Sequence, residues 1–160
     1  MGKLNFLGIG PKIAMVFLPW LTATIVLSNI KSDLFIYSTG YSNLLLIAGI
    51  ILMIIGLGFY FSTVRLLLKG LKETRLVTNG VYSLCQNPLY LSIMLLIIPA
   101  LSFILNSWLV LTTSIVGFIL IKLLIRNEYK ELEKFFGEEY LKYKRETPEF
   151  LPFPLKKWFS

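Results

Sequence analysis

The chain has 160 residues, of which 56% are hydrophobic and 16% are charged, and its formal net charge is +7. A soluble domain of this length leaves a large share of its surface in water, so it could not hide so much apolar area. The composition therefore indicates an integral membrane protein with a single domain spanning residues 1–160. With no histidine and one cysteine, Cys85, the sequence predicts neither a disulfide nor a metal site.

Three segments without charged residues set the predicted helices, and they cover residues 13–30, 34–64 and 76–121. A helix crosses the hydrocarbon core with about 20 apolar residues, so the first segment predicts a span at 13–30 and the second a span at 44–64. The third segment is long enough for two spans, at 88–105 and 108–125, because Asn106-Ser107 is a polar turn between them. The sequence thus predicts an all-α fold with four transmembrane helices.

Basic residues accumulate on one side of this predicted arrangement. With four spans, both termini, the inner connection at 66–87 and the tail at 126–160 share a side, while Lys31 is the one basic residue of the opposite side. Because lysine and arginine favour the cytoplasmic side, we expect both termini in the cytoplasm. Basic residues facing an anionic leaflet account for the net charge, and no aromatic–basic stripe indicates nucleic-acid binding.

The inner connection and the tail hold the polar residues that could carry chemistry. In the connection, Gly80 permits a tight turn, and Asn87-Pro88 suits the cap and the first turn of a helix. The tail begins with helix formers up to about Lys144, interrupted by Gly137. From these residues alone, the connection could equally be a plain loop before a capped helix, and the charge run at 126–132 is more often a solvated surface.

The last part of the tail, residues 147–154, contains three prolines and therefore cannot be a helix. We expect this segment to run extended. Phe150 and Phe153 would then anchor it in the protein or in the membrane interface.

The order of short motifs in the second half of the chain is specific. These motifs are LVTNGVY at 76–82, QNPLY at 86–90, Glu128 with Leu132, FGEEY at 136–140 with Tyr143, and FLP at 150–152. Together they resemble the isoprenylcysteine carboxyl methyltransferase and phospholipid methyltransferase family of membrane enzymes. Gly56-Leu57-Gly58 also resembles a glycine pair of phospholipid methyltransferases, although glycines are ordinary helix-packing residues in membranes.

The resemblance implies that S-adenosylmethionine binds at the cytoplasmic ends of the last helices, under a roof formed by the tail helix. No strand–GxGxxG–helix unit offers a Rossmann alternative. Glu128 and Tyr90 would be the catalytic residues. The implied cofactor-binding residues are Gly80, Val81, Tyr82, Gln86, Asn87, Pro88, Tyr90 and Glu128.

The chain departs from the family pattern at three positions. Gln86 stands where the family usually has arginine, Tyr129 where it has a second glutamate, and Val81 where many members have proline. The chain thus lacks both the arginine and the second glutamate of the family. Either the two changes compensate each other in charge, or the chain binds a different ligand.

Methyl transfer from a sulfonium depends on in-line positioning and desolvation of the acceptor rather than on acid–base chemistry. A carboxylate acceptor is already deprotonated at neutral pH, so a site without histidine favours it. Arg65, Arg75 and Arg126 are the candidate substrate-binding residues. We therefore expect carboxyl O-methylation of a prenylcysteine-like lipid that enters from the bilayer. The alternatives are N-methylation of a phospholipid headgroup and a non-catalytic membrane scaffold.

Overall fold

The fold is described from a computed structural model, in which residues 9–37 and 39–150 are placed. Within those ranges all regular structure is helical, apart from one isolated bridge between Ile36 and Ser107. Three helices are long and apolar enough to cross a membrane: α1 (Gly10–Ile30), α3 (Ser42–Glu73) and α6 (Trp108–Phe136). The predicted all-α membrane class is confirmed.

Helix α1 packs against α6 through pairs of hydroxyl groups. Ser28 Oγ lies 2.7 Å from Ser107 Oγ, and Thr24 Oγ1 lies 3.3 Å from Thr113 Oγ1. Lipid tails are as apolar as leucine, so helices in a membrane associate through close packing and such interhelical hydrogen bonds. The bounds of α1 agree with the predicted span at 13–30, extended by one turn at its start.

Helix α3 packs through a row of small residues spaced seven apart, and these buried residues are Gly49, Gly56, Thr63 and Gly70. A Cβ atom at Gly49 would lie 2.8 Å from the Ile104 side chain, and one at Gly56 would lie 3.0 Å from Leu96. A Cβ at Gly58 would meet nothing within 4 Å. Of the glycine pair noted in the sequence, Gly56 is therefore a packing residue and Gly58 is not.

The predicted end of this helix was wrong, because α3 continues past Val64 to Glu73. The charges after Val64 mark a more polar environment, but leucine, lysine and glutamate are all good helix formers, so nothing ends the helix there. It ends at Thr74, whose φ of 50° is left-handed, and Gly70 lies against the side chain of Val77. The inner connection is correspondingly shorter than the predicted 66–87.

The predicted third span is interrupted. It consists of α4 (Pro88–Leu91), a π-helical turn (Ser92–Ile97) and α5 (Ile98–Ile104). Pro99 has no amide donor, so a regular α-helical ladder cannot run through this region. The whole stretch Pro88–Ile104 is apolar but shorter than the other three long helices. The predicted count of four spans stays a prediction.

Helix α6 does not stop where the sequence predicted the membrane span to end. It continues from Ile125 to Phe136 without a break, so the first part of the predicted tail is an extension of this helix. No glycine or proline lies between these residues, which leaves nothing to end the helix. The break comes at Gly137 (φ 55°), and a separate helix, α7 (Glu138–Glu146), follows.

The end of the bundle that contains Glu128 is closed by an apolar cluster. Its buried members come from α1 and the residue before it, the π-helical turn, α5, α6 and the tail: Ile9, Ile13, Phe17, Met94, Ile98, Ile121, Ile125 and Phe150. The Phe150 ring packs edge-on against Phe118 at 5.3 Å between centroids. The predicted anchoring of Phe150 is confirmed, while Phe153 lies outside the described residues.

At the opposite end of the bundle, the loop after α1 contacts the turn between α5 and α6. This loop includes a short helix that the sequence did not predict, α2 (Ser32–Phe35). The Tyr37 amide donates to the Asn106 carbonyl (3.2 Å), and the Tyr37 hydroxyl lies 2.7 Å from Ser102 Oγ. Asn106 has a left-handed φ of 49°, which confirms a turn between the third and fourth predicted helices.

Candidate active site

The segment from Gly80 to Asn87 is folded tightly against the end of α3. Gly80 has a φ of 61°, which favours glycine, and a Cβ atom there would lie 2.8 Å from the Leu66 side chain. A 3₁₀ turn over Gly80–Ser83 follows and buries Tyr82. Cys85 is also buried, whereas Val81 is half-buried. The turn predicted at Gly80 is confirmed.

The tail is held on this segment by backbone-directed hydrogen bonds. The Tyr143 hydroxyl donates to the Tyr82 carbonyl at 2.7 Å. The backbone N–H of Gln86 donates to the Pro148 carbonyl at 2.9 Å. The side-chain NH₂ of Gln86 donates to the Thr147 carbonyl at 2.5 Å. Gln86, the residue that replaces the family's usual arginine, thus joins the inner connection to the tail.

Asn87 does not cap α4 with its side chain, contrary to the prediction. Its NH₂ group donates instead to the Tyr129 hydroxyl at 2.5 Å and to the Glu149 carbonyl at 3.0 Å. The carbonyl oxygen of Glu149, in the tail, lies beside Asn87. The side-chain amide of Asn87 donates to that oxygen and makes no capping hydrogen bond to α4. Pro88 begins α4 as predicted and is buried. Asn87 therefore links the connection, α6 and the tail.

Glu128 projects from α6 into a group of tyrosines. The Tyr90 hydroxyl donates to Glu128 Oε2 at 3.3 Å, and both residues are half-buried. Burial, followed by the charge of Glu128, raises the pKa of Tyr82 and that of Tyr140. These two hydroxyls therefore lie close enough to the Glu128 carboxylate to be influenced by it. The predicted pair of Glu128 and Tyr90 is brought together.

A second carboxylate reaches the same group from the tail. The Tyr129 hydroxyl donates to Glu149 Oε1 at 3.1 Å, and Lys122 Nζ lies 2.5 Å from Glu149 Oε2. The Lys122 ammonium also lies 4.6 Å from the centroid of the Phe150 ring, within the range of a cation–π contact. Position 129 carries tyrosine rather than a second acid, but the carboxylate of Glu149 lies beside it.

Sequence reasoning missed Tyr140, Glu149 and Lys122 as residues of this site. Their separation along the chain carries no signal, because the contact depends on how the tail folds back over the end of α6. The signal that was present is the proline-rich composition of residues 147–154, which predicts that the chain leaves its helix there.

The three arginines predicted to bind substrate are all at the surface of the protein. Arg65 and Arg126 are exposed. Arg75 is exposed too, and its guanidinium pairs with Glu73 at 2.5 Å. Among the residues that the structure describes, no group of three or more histidine, cysteine, aspartate or glutamate side chains could hold a metal ion.

An all-helical membrane bundle with an acid–tyrosine group at one end thus defines the class of the molecule. The family model described as phospholipid methyltransferase matches residues 44–139, which is more than half of the chain. The protein belongs to this methyltransferase family, and the predicted family is confirmed. No curated protein matches the chain, and no solved structure matches it.

Proposed function

We propose that the protein transfers a methyl group from S-adenosylmethionine to a lipidic acceptor at one face of the membrane. The observation that carries this proposal is the Glu128 carboxylate, held by Tyr90 and surrounded by further tyrosines. Glu128, Tyr82 and Tyr90 all lie within the residues that the family model matches.

The residues of the site fit the charge of this cofactor. S-adenosylmethionine has a sulfonium and an ammonium group, and a partly desolvated carboxylate beside aromatic faces attracts cations. Two buried polar atoms, Gln86 Oε1 and the Tyr140 hydroxyl oxygen, have no hydrogen-bond partner within the described part of the chain. Buried polar groups are nearly always paired, so these atoms support a polar ligand at this place.

When bound, the cofactor supplies an electrophilic methyl group whose departure leaves a neutral thioether. The part left to the chain is positioning and desolvation of the acceptor. In this proposal Glu128 and Tyr90 orient the cation, and the buried rings of Tyr82 and Tyr140 keep water away from it. A carboxylate that faces an ammonium acceptor also takes the proton that the nitrogen must lose before it can attack.

Two acceptors fit a lipid methyltransferase, a prenylcysteine-like carboxylate and a phospholipid headgroup amine. The sequence favoured the carboxylate, with arginines to hold it. The arrangement of charge supports the amine better, because the three arginines are exposed, whereas the half-buried Glu128 carboxylate lies in the site and forms no ion pair within the described residues. This carboxylate attracts an ammonium and repels a carboxylate.

We propose a four-span topology with both termini in the cytoplasm and α7 as a roof over the site. The contact of Ile104 with Gly49, near the start of α3, and that of Asn87 with Tyr129, near the end of α6, support a fourth crossing by residues 88–104. Single cysteines at Lys31 and Lys72 should label from opposite sides of the membrane. Labelling of both from one side would contradict this topology.

A methyl-transfer assay on the purified full-length protein in lipid nanodiscs tests the function. Radiolabelled S-adenosylmethionine is supplied with either phosphatidylethanolamine or a prenylcysteine. With the phospholipid we expect a methyl label that is not released by mild base, since N-methyl groups resist it. A label released from prenylcysteine by mild base would identify a methyl ester and restore the carboxylate acceptor. If the protein neither binds the cofactor nor methylates either lipid, the proposed function is wrong and the scaffold alternative stands.

A further inference from the structure

Tyr140 carries a hydroxyl group that the rest of the described chain leaves without a partner. The residue is 1% exposed, and its oxygen has no hydrogen bond within the described residues. Burying such a group costs free energy unless something pairs with it. Tyr143, one turn further along α7, is also buried, but its hydroxyl donates to the Tyr82 carbonyl. Within the described ranges, one tyrosine hydroxyl of this helix therefore has a hydrogen-bond partner and the other has none.

The surroundings of Tyr140 specify the kind of group that would pair with it. Its ring lies 6.4 Å from the ring of Tyr129, centroid to centroid. Burial raises the pKa of Tyr140, and the charges of Glu128, Glu133 and Glu149 add to the effect, so its hydroxyl lies near several carboxylates. A group that enters this place is therefore favoured if it is cationic.

Hydrogen-bonding capacity narrows the choice further. The phenolic oxygen can accept a hydrogen bond, and an alkylammonium offers three N–H donors. A sulfonium has no N–H or O–H group, so the aromatic faces can hold it but it offers the phenolic oxygen only weak C–H contacts. The unpaired oxygen therefore points to an ammonium rather than to the sulfonium centre.

We infer that Tyr140 is a further ligand-binding residue of this site, whose hydroxyl accepts a hydrogen bond from an alkylammonium group while Glu128 supplies the opposing negative charge. This inference rests on the proposed function. Two ligands carry such a group: the amino-acid end of S-adenosylmethionine and the headgroup of an amine-bearing phospholipid. Both sources share the chemistry, and binding measurements separate them.

The test uses Tyr140→Phe in the full-length protein, because this change removes one oxygen and keeps the ring. Calorimetry gives the Kd of S-adenosylmethionine and of S-adenosylhomocysteine, which retains the ammonium but has no sulfonium. The transfer assay gives KM for phosphatidylethanolamine. Tyr41→Phe, an exposed residue before the start of α3 at the opposite end of the bundle, is the matched control for loss of a hydroxyl away from the site.

If the ammonium of the cofactor is the partner, both nucleoside ligands should bind about tenfold more weakly, the loss of one hydrogen bond to a charged group. If the lipid amine is the partner, both Kd values stay unchanged and KM for the phospholipid rises by about tenfold. Weaker binding of S-adenosylmethionine alone would mean a contact with the sulfonium, which overturns the assignment. Unchanged Kd and KM overturn it as well, and a buried water then pairs with the hydroxyl.

The thermal midpoint distinguishes a ligand contact from a structural role. Tyr140→Phe should keep or raise the midpoint of the ligand-free protein, whereas Tyr143→Phe should lower it, because only Tyr143 loses a hydrogen bond within the described chain. Should Tyr140→Phe fail to fold, fluorotyrosine placed at position 140 keeps the hydroxyl. Its ¹⁹F signal should shift on saturation with S-adenosylhomocysteine or with the aminolipid, and no shift with either overturns the inference. If the wild-type protein binds neither ligand, the proposed function itself is wrong.

Discussion

Glu128 differs from the other acidic residues of its helix in where its carboxylate lies. It is half-buried and accepts a hydrogen bond from Tyr90, whereas Glu131 and Glu133 are exposed. An exposed carboxylate contributes little to the binding of a cation, because water and salt screen it. A partly desolvated one contributes much more. The same residue type thus has different consequences at positions a single helical turn apart.

Glu128→Gln should therefore weaken cofactor binding and leave the protein folded. The substitution keeps the shape and a hydrogen-bond acceptor for Tyr90 but removes the negative charge. We expect the affinity for S-adenosylmethionine to fall by at least about tenfold, since hydrogen bonds to charged groups are worth about 1.5–3 kcal/mol. Glu131→Gln is the control and should bind normally. Calorimetry that gives equal affinity for both variants, with equal thermal midpoints, would return Glu128 to the role of a surface charge.

Cys85 reports on whether the tail is docked. The residue is fully buried, and burial raises the pKa of its thiol, partly offset by a hydrogen bond from the Asn87 amide. A raised pKa means less thiolate at a given pH, so maleimide should modify Cys85 more slowly at pH 8 than it modifies a cysteine peptide. Tyr143→Phe removes a hydrogen bond to the segment that contains Cys85 and should speed the reaction. Mass spectrometry measures both rates, and peptide-like labelling of the wild-type protein would contradict the docked tail.

The helices show where sequence patterns decide the structure and where they do not. Charge gaps placed α1 correctly, because a charge inside the hydrocarbon is costly, and the polar pair Asn106-Ser107 located the turn between the third and fourth predicted helices. The same gaps misplaced the ends of α3 and α6, since a helix leaving the membrane continues until a residue such as Gly137 ends it. The motif order found Glu128, Tyr90 and Tyr82, which the structure brings together. Tyr140 and Glu149 were missed as site residues because only the folded tail brings them there.

Replacing a glycine of α3 by a larger residue should destabilise the bundle at the packed face of the helix and not at the open face. A Cβ atom at Gly56 would lie 3.0 Å from Leu96 Cβ and 3.1 Å from Ile97 Cγ1, while Gly58 has open space around it. Gly56→Val should therefore destabilise the bundle by about 1–3 kcal/mol through overpacking, and Gly58→Val should not. Unfolding in detergent mixtures gives the difference. Equal destabilisation by both changes would mean that backbone propensity, rather than contact with α5 and its π-helical turn, sets the requirement for glycine.

The site is formed by parts of the chain that are far apart in sequence. Tyr82 and Asn87 come from the inner connection, Glu128 and Tyr129 from α6, and Glu149 from the tail. They meet because the tail returns over the end of α6 and its Phe150 enters the apolar cluster beneath. A zwitterionic cofactor needs polar partners outside the hydrocarbon, and under the proposed function these segments would supply them. One end of the bundle thereby combines polar partners with the apolar side of the helices, where a lipid acceptor would enter.

Removing the tail should abolish cofactor binding while the helices still insert. A cut after Ile125, which the sequence alone suggests, would also delete Glu128 and the last part of α6, which continues to Phe136. A cut after Gly137 is sharper, since it keeps Glu128 and Tyr129 on an intact helix and removes only α7 and the segment that follows. We expect S-adenosylmethionine binding to become undetectable by calorimetry, because the contacts of the tail with Tyr82 and Asn87 are lost together.

A chain ending after Phe150 is the matched control, because it keeps every described contact of the tail and should still bind. Membrane insertion of both truncated chains is checked by protease protection, so that a failure to insert is not mistaken for a lost site. If the chain ending at Gly137 inserts normally and binds the cofactor with full affinity, then the site does not include the tail. In that case α7 is a surface helix, and the polar partners of the cofactor come from the inner connection and α6 alone.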